Sequence, residues 1–308
     1  MKKYGIIICI LLLTTLALAQ DDYESVFPNV SLEGKSSAMG SVNLLDSPDT
    51  YAGNKKIKFE MGKKEQLGII PYSYYKFDFK SYSMKIVTSE DILKTTKIGI
   101  GKGFKFKKLN LGMDFNIFTA EVVDQKSGSY EIQAEANKEG ITNEDLKGTT
   151  AKGVGIDLAF SVDLNENLKI GYYMENLGAK LKWDINGETS EEELDKKKTF
   201  GVIYKKDNMT LCSEIEDFEK LNLGIQRNYY EKLDLRAGIS RNFDTSENIE
   251  AQKLYSVGIG FVPGEIKIRG RKIQVGIDVG YQMKYFGDND IFNGDSEDDI
   301  AFSTYIRY

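Results

Sequence analysis

The chain has 308 residues, carries 47 acidic against 41 basic side chains for a formal charge of −6, and contains no histidine. That sign of charge argues against nucleic acid as a partner, because holding a phosphate backbone calls for a basic face. Without histidine there is no Ser-His-Asp or Cys-His nucleophile, no imidazole metal ligand and no near-neutral base. No catalytic residue, metal site or cofactor is therefore assigned, and the chain does not read as an enzyme.

Residues 1–19 read as a secretory signal: Lys2 and Lys3, an apolar run over 5–16, then Ala17-Leu18-Ala19 as a small-x-small cleavage site before Gln20. Beyond it only Cys212 remains of the two cysteines, so no internal disulfide is available to the exported chain. No second run of eighteen apolar residues follows. Any crossing of a membrane must be made by strands.

Residues 20–56 are polar and rich in glycine and serine, with Pro28 and Pro48, and show no sustained alternation. They suit a linker, or a small folded segment that plugs a barrel from its periplasmic side. From residue 57 onward the pattern changes to period two. Leu109, Leu111, Met113, Phe115 and Ile117 interleave with Asn110, Gly112, Asp114 and Asn116; Val154 to Val162 and Ile273 to Tyr285 do the same. Successive side chains of a strand point to opposite faces, and spans of about ten such residues are the signature of outer-membrane strands.

Fourteen strands are predicted, over 57–61, 66–75, 77–87, 95–106, 109–121, 151–164, 167–183, 198–206, 209–217, 220–229, 232–243, 253–262, 272–286 and 299–308. Counted back from the carboxyl end, long or charged connections fall on one side and tight turns on the other, with 218–219 the exception. Long outer loops opposite short periplasmic turns describe a bacterial barrel. A soluble sandwich or barrel also alternates, but the signal segment, the loop asymmetry and the small lumen-side residues favour the membrane form. The fold class is all-β: a transmembrane, antiparallel, up-and-down β-barrel of about fourteen strands (57–308) with an amino-terminal hatch.

On that reading Asp114, Asp157, Asp234, Arg236, Asp278 and Lys284 face the lumen, as a selectivity ring or, since both signs occur, paired with one another. Tyr172, Trp183, Tyr204, Tyr255, Phe261, Tyr281, Tyr285 and Tyr308 suit interface girdles. The predicted third strand changes phase, Phe77 and Phe79 facing one way and Tyr82, Met84 and Ile86 continuing on a shifted register. A bulge at Lys80, Ser81 and Tyr82 would produce that slip.

Two stretches carry a likeness to a known family. Lys35-Ser36-Ser37-Ala38-Met39-Gly40-Ser41, followed by acidic Asp46-Ser47-Pro48-Asp49, resembles the opening of the PorV/PorQ-type branch of the FadL-like outer-membrane barrels. Met174-Glu175-Asn176-Leu177-Gly178, running on to Trp183, is similar to that family's recurrent Asn-Leu-Gly strand. Tyr51-Ala52-Gly53-Asn54 departs from the family's Asn-Pro-Ala-Gly-Leu by lacking the proline. The resemblance implies a fourteen-stranded barrel with a hatch, outer loops after strands five and seven (122–150 and 184–197) that gather substrate, and a sideways exit at the third strand near Lys80–Tyr82. It also implies that the last strand, through Phe302, Ile306 and Tyr308, is recognised by the barrel-assembly machinery.

The expected function is an outer-membrane transporter or channel for hydrophobic small molecules. The alternative is a PorV-like interaction or assembly protein that anchors or assists export of secreted surface proteins. Outer-membrane lipid is the expected surrounding, and the outer membrane of a bacterial cell the expected location.

Overall fold

The computed structural model describes residues 35, 38, 39, 42–45, 47–52, 57–66, 71–89, 93–122, 148–185, 187–230, 232–243, 253–268, 271–286 and 295–307. The signal segment 1–19 and Tyr308 lie outside them. The strands are β1 (Ile57–Gln66), β2 (Pro71–Phe79), β3 (Tyr82–Ser89), β4 (Leu93–Phe106), β5 (Leu109–Val122), β6 (Thr150–Asp163), β7 (Leu168–Ile185), β8 (Glu188–Glu193), β9 (Lys197–Lys206), β10 (Met209–Glu216), β11 (Lys220–Tyr229), β12 (Leu233–Asn242), β13 (Lys253–Phe261), β14 (Glu265–Ile268), β15 (Arg271–Phe286) and β16 (Asp295–Arg307).

Every strand is antiparallel to its neighbours, and the sheet closes because β16 pairs with both β15 and β1 while β13 pairs with β15. Fourteen strands make the barrel. Off that path, β8 continues the pairing along the edge of β7 that β9 occupies lower down, and β14 extends the edge of β15 in the same way. Closure leaves no edge of unpaired backbone, which is the condition for spanning hydrocarbon with strands.

The side chains are sorted in the reverse of a water-soluble protein. Glu60, Asn116, Asp157, Glu214, Asn222, Gln282 and Ser303 are buried inside, while Ile100, Phe104, Met113, Phe115, Val257, Ile259 and Phe302 stand exposed on the outer wall. A contiguous apolar exterior of this extent is what a bilayer solvates. Phe302 and half-buried Ile306 both lie on this outward row of β16.

Two-residue connections at 80–81, 107–108 and 207–208 lie at one end of the barrel. They are tight enough that Lys80, Lys107 and Asp207 all adopt positive φ, at 55°, 55° and 51°. The first of these corrects the predicted bulge. Lys80 and Ser81 are not part of a strand but form the hairpin turn between β2 and β3, and Phe79 pairs with Tyr82 across it. A two-residue turn flips the apparent phase of a continuous sequence as one extra residue in a strand does, so Phe77, Phe79, Tyr82 and Met84 all face outward. Pairing runs unbroken from Tyr82 to Ser89 on both edges of β3. The sideways exit expected at Lys80, Ser81 and Tyr82 has no opening there to use.

Candidate functional site

The lumen is layered. At the short-turn end, part of the amino-terminal segment lies against the inner wall as two 3₁₀ turns, Asn43–Leu45 and Pro48–Tyr51. Ala38, Met39, Val42 and Leu44 are buried there, Met39, Val42 and Leu44 packing with Ala159, Tyr173, Ile203 and Cys212 of the barrel. The fit is close where the wall has no side chain: a Cβ on Gly224 would come within 2.5 Å of the Met39 carbonyl oxygen, and one on Gly258 within 2.3 Å of the Ala38 Cβ.

Polar contacts fasten the same segment at two places. Glu214 of β10 accepts the backbone N–H groups of Asn43 at 2.7 Å and Leu44 at 3.1 Å, and neighbouring Glu216 accepts the Asn43 side-chain amide at 3.0 Å. Asp49 is buried and accepts hydrogen bonds from Ser47, from Ser161 of β6 and from Lys169 of β7, the last at 3.2 Å. A buried carboxylate is tolerable only with such partners.

Above this amino-terminal segment runs a belt of charge. Lys97 of β4 pairs with Asp157 of β6 at 3.3 Å, and Asp157 also accepts the Asn176 backbone N–H at 2.9 Å. Asp114 sits directly across from Asp157 in the β5–β6 ladder. Tyr173 donates to Glu175 at 3.1 Å, and Lys197 of β9 pairs with Glu216 at 2.6 Å. On the far wall Arg236 bridges Asp278 at 2.5 Å and Asp234 at 2.9 Å. Of the lumen charges read from the sequence, Asp114, Asp157, Asp234, Arg236 and Asp278 thus face inward, but in two separate groups rather than one ring. The side chain of Lys284 lies outside the described residues.

The long-loop half of the lumen on β5–β8 is apolar. Phe118, Ala120 and Val122 of β5, Ala151 of β6, Ala179, Leu181 and Trp183 of β7, and Leu194 just after β8 form one buried cluster, with Phe118 and Leu181 at 0% exposure. Trp183, expected in the interface girdle, faces inward at 1% exposure and donates its indole N–H to Glu192 at 2.6 Å. Residue type suggested the girdle, but alternation along β7 decides the face. Tyr172 points outward and tilts against Phe160, with 5.3 Å between centroids, which leaves the odd-numbered positions inside.

β7 reaches this cluster through a double irregularity. Val154 pairs with Lys180, Ile156 with Leu177 and Leu158 with Met174, so β7 spends one extra residue in each interval. Asn176 (φ 55°) and Gly178 (φ 64°) take the left-handed conformations that two successive bulges require. Two bulges restore the original parity, so Gly171, Tyr173, Ala179, Leu181 and Trp183 share the inner face. On the other edge β7 changes partner here: Leu194 N–H bonds to Ala179 O at 3.0 Å, and the Asn176 amide bonds to Asp195 O at 3.0 Å. The Asn-Leu-Gly stretch picked out in the sequence is this bend. The apolar lining itself was missed, although the inward row of β5 shows it by turning from Asn110, Gly112, Asp114 and Asn116 to Phe118, Ala120 and Val122.

No protein-family model matches the sequence, and no curated protein matches it. Solved structures do. The chain is similar to the CymD monoaromatic hydrocarbon channel, with a TM-score of 0.59 at 13% identity over 92% of this chain and 98% of that one. It is similar to the Pseudomonas putida toluene transporter TodX, with 0.53 at 12% identity over 92% and 99%. It is also similar to a Pseudomonas aeruginosa FadL homologue, with 0.55 at 10% identity over 93% and 99%. None of these likenesses singles out the PorV/PorQ-type branch. The chain has the fold of the FadL-type barrels.

Proposed function

We propose that the chain is an outer-membrane channel for small hydrophobic molecules, with the apolar cluster on β5–β8 as its receiving site and residues 38–52 as the hatch beneath it. The observation that carries this is the placement of Phe118, Leu181, Trp183 and Leu194 on the inside of the barrel, above a belt of charge and away from the apolar residues that pack against the amino-terminal segment. An inward apolar patch does nothing for solvation by lipid, which touches only the outer wall, whereas recognition sites for small molecules are concave and largely apolar. The names of two similar structures, a monoaromatic hydrocarbon channel and a toluene transporter, support the same cargo class.

In this reading the molecule passes from the apolar cluster to the charged belt, where Lys97, Asp157, Lys197 and Glu216 hold water and discourage free ion flow, and the hatch closes the lumen below. A Leu181→Glu substitution places an unpaired carboxylate in the cluster. The test is uptake of radiolabelled toluene and of a long-chain fatty acid by cells with the protein, without it, and with Leu181→Glu. Uptake raised by the wild-type barrel and abolished by Leu181→Glu is expected. Equal uptake in all three would defeat the proposal.

A further inference from the structure

On the outer wall, β9 to β13 are indented. A groove of about 630 Å³ crosses them, bounded by Val202, Tyr204, Leu223, Ile239, Tyr255 and Val257. Two short side chains give it depth. Ser213 of β10 and Ala237 of β12 stand beside Leu223 and Ile225 of β11 in the ladder, and the groove reaches the backbone at Gly224 and Gly238. Its volume is that of a ligand site, and its lining is apolar. Since this wall faces hydrocarbon, an acyl chain is the occupant that its surroundings supply.

The long-loop end of the groove carries charge. Ile239 of β12 pairs with Tyr255 of β13, and the next outward pair on the same two strands is Arg241 with Lys253. Two residues of strand put that pair about 7 Å beyond the groove. Directly opposed Cα atoms lie about 5 Å apart, so the two cations project from one spot, and like charges placed so repel. Arg241 is exposed and Lys253 half-buried. Among the described residues neither side chain makes a hydrogen bond, an ion pair or a ring contact. Two adjacent cations of this kind are complementary to a phosphate, whose oxygens accept from both. The short-turn end of the groove differs. Lys206 and Arg227 flank Met209 there with one strand between them, and the Arg227 guanidinium already stacks on Tyr229, 5.1 Å from the ring centroid.

We propose that this sector of the wall seats a phosphorylated lipid of the outer leaflet, its phosphate between Arg241 and Lys253 and one acyl chain along the groove past Ile239, Tyr255 and Ala237. Charge and groove follow one another as head and chain do in a lipid. A free phosphate would use the cations and leave the groove, whereas an uncharged lipid would use the groove and leave the cations. The site lies on the lipid-facing side of the barrel, so it stands or falls independently of what the lumen carries.

The experiment titrates the purified barrel in detergent with lipid A and with the same lipid A after its phosphates have been removed, and counts retained lipid by native mass spectrometry. Half-occupancy by the phosphorylated form is expected at about one-tenth of the concentration that the dephosphorylated form needs, the effect of about two basic side chains at a membrane surface. Arg241→Gln with Lys253→Gln should bring the two forms within about two-fold, while Arg241→Lys, which keeps the charge, should preserve the preference. Ser213→Leu with Ala237→Leu fills the groove with side chains that suit a lipid-facing wall, and should weaken retention of both forms alike. Lys206→Gln with Arg227→Gln should change neither. A preference that survives the Arg241 and Lys253 changes, or that disappears with those at Lys206 and Arg227, would overturn the assignment of the head. Retention indifferent to the filled groove would overturn the assignment of the chain, and retention of neither form would overturn the site.

Discussion

Glu214 on the barrel wall caps Asn43 of the amino-terminal segment: one carboxylate oxygen accepts the Asn43 backbone N–H at 2.7 Å while the other takes that of Leu44 at 3.1 Å. The first N–H groups of a helical turn have no partner within the turn, and here the wall supplies one. A net hydrogen bond contributes about 0.5–1.5 kcal/mol, and Glu214 supplies two of them to this turn. Glu214→Ala should release the turn and raise the time the barrel conducts ions in a planar bilayer by about ten-fold or more. Gly224→Val should do the same by pressing on the Met39 carbonyl, without changing any charge. If both variants stay as closed as the wild type, the segment is not the barrier.

Arg236 presents a different situation, because it ties two acids at once. With its side chain at 2% exposure between buried Asp278 and half-buried Asp234, its removal leaves the Asp278 carboxylate uncompensated inside the barrel. Breaking a buried pair from one side costs about 3–5 kcal/mol. Arg236→Ala should lower the temperature at which the unboiled, fast-migrating band disappears from a denaturing gel. The double variant Arg236→Ala with Asp278→Ala should recover most of the loss, and a double variant worse than the single one would show that the pair is not the source.

The sequence was most legible where strands are long and end at a tight turn, and least where parity alone had to separate two explanations. Every barrel strand was anticipated from β4 (Leu93–Phe106) onward, because rows such as Leu109 to Ile117 alternate over about nine residues. The first three were displaced, with β2 at Pro71–Phe79 instead of 66–75, because Lys80-Ser81 carries no glycine, proline or asparagine to announce the turn that Lys80 makes with its positive φ. β8 was read as a charged loop for a related reason. Glu188–Glu193 has no apolar row, and it becomes a strand only because the lysines of β7 lie opposite it. Lumen-facing Asp157 and Arg236 followed from alternation, whereas their partners Lys97 and Asp278 are set by register across three consecutive strands, which no local pattern encodes.

Gly178 allows the cost of the β7 bend to be isolated. Its φ of 64° disfavours any side chain, yet a Cβ added there would meet nothing within 4 Å. Gly178→Ala should therefore destabilise the barrel by the conformational term alone, about 1–2 kcal/mol, measured by chemical denaturation in micelles. Alanine at Gly171, where the backbone is ordinary but Leu44 of the amino-terminal segment lies 3.1 Å from the new Cβ, should instead loosen that segment and leave the bend intact. A Gly178→Ala barrel as stable as the wild type would mean that β7 relaxes its bulge freely.

The outward face of β7 and β8 at the long-loop end carries charge: Lys180 meets Glu193 at 2.7 Å and Lys182 meets Glu191 at 3.0 Å. Exposed charges on the outer wall place this hairpin above the hydrocarbon, in water. The hydrogen bond from Lys182 holds Glu191 below the ordinary carboxylate value of 4.5, and that from Lys180 does the same for Glu193. A carboxylate whose folded value is depressed stabilises the fold above its unfolded value, and the contribution disappears as pH falls through the folded one. The pairing of β8 should accordingly be intact at neutral pH and weaken as pH falls below the ordinary carboxylate value of 4.5, more so at high salt, since exposed pairs are screened. Hydrogen-exchange protection of residues 188–193 relative to β5 measures this directly. Protection should fall on acidification in the wild type and be low at every pH when Lys180 and Lys182 are both replaced by methionine, and protection unchanged between pH 7 and 3 would show that backbone pairing to β7 holds the strand without its ion pairs.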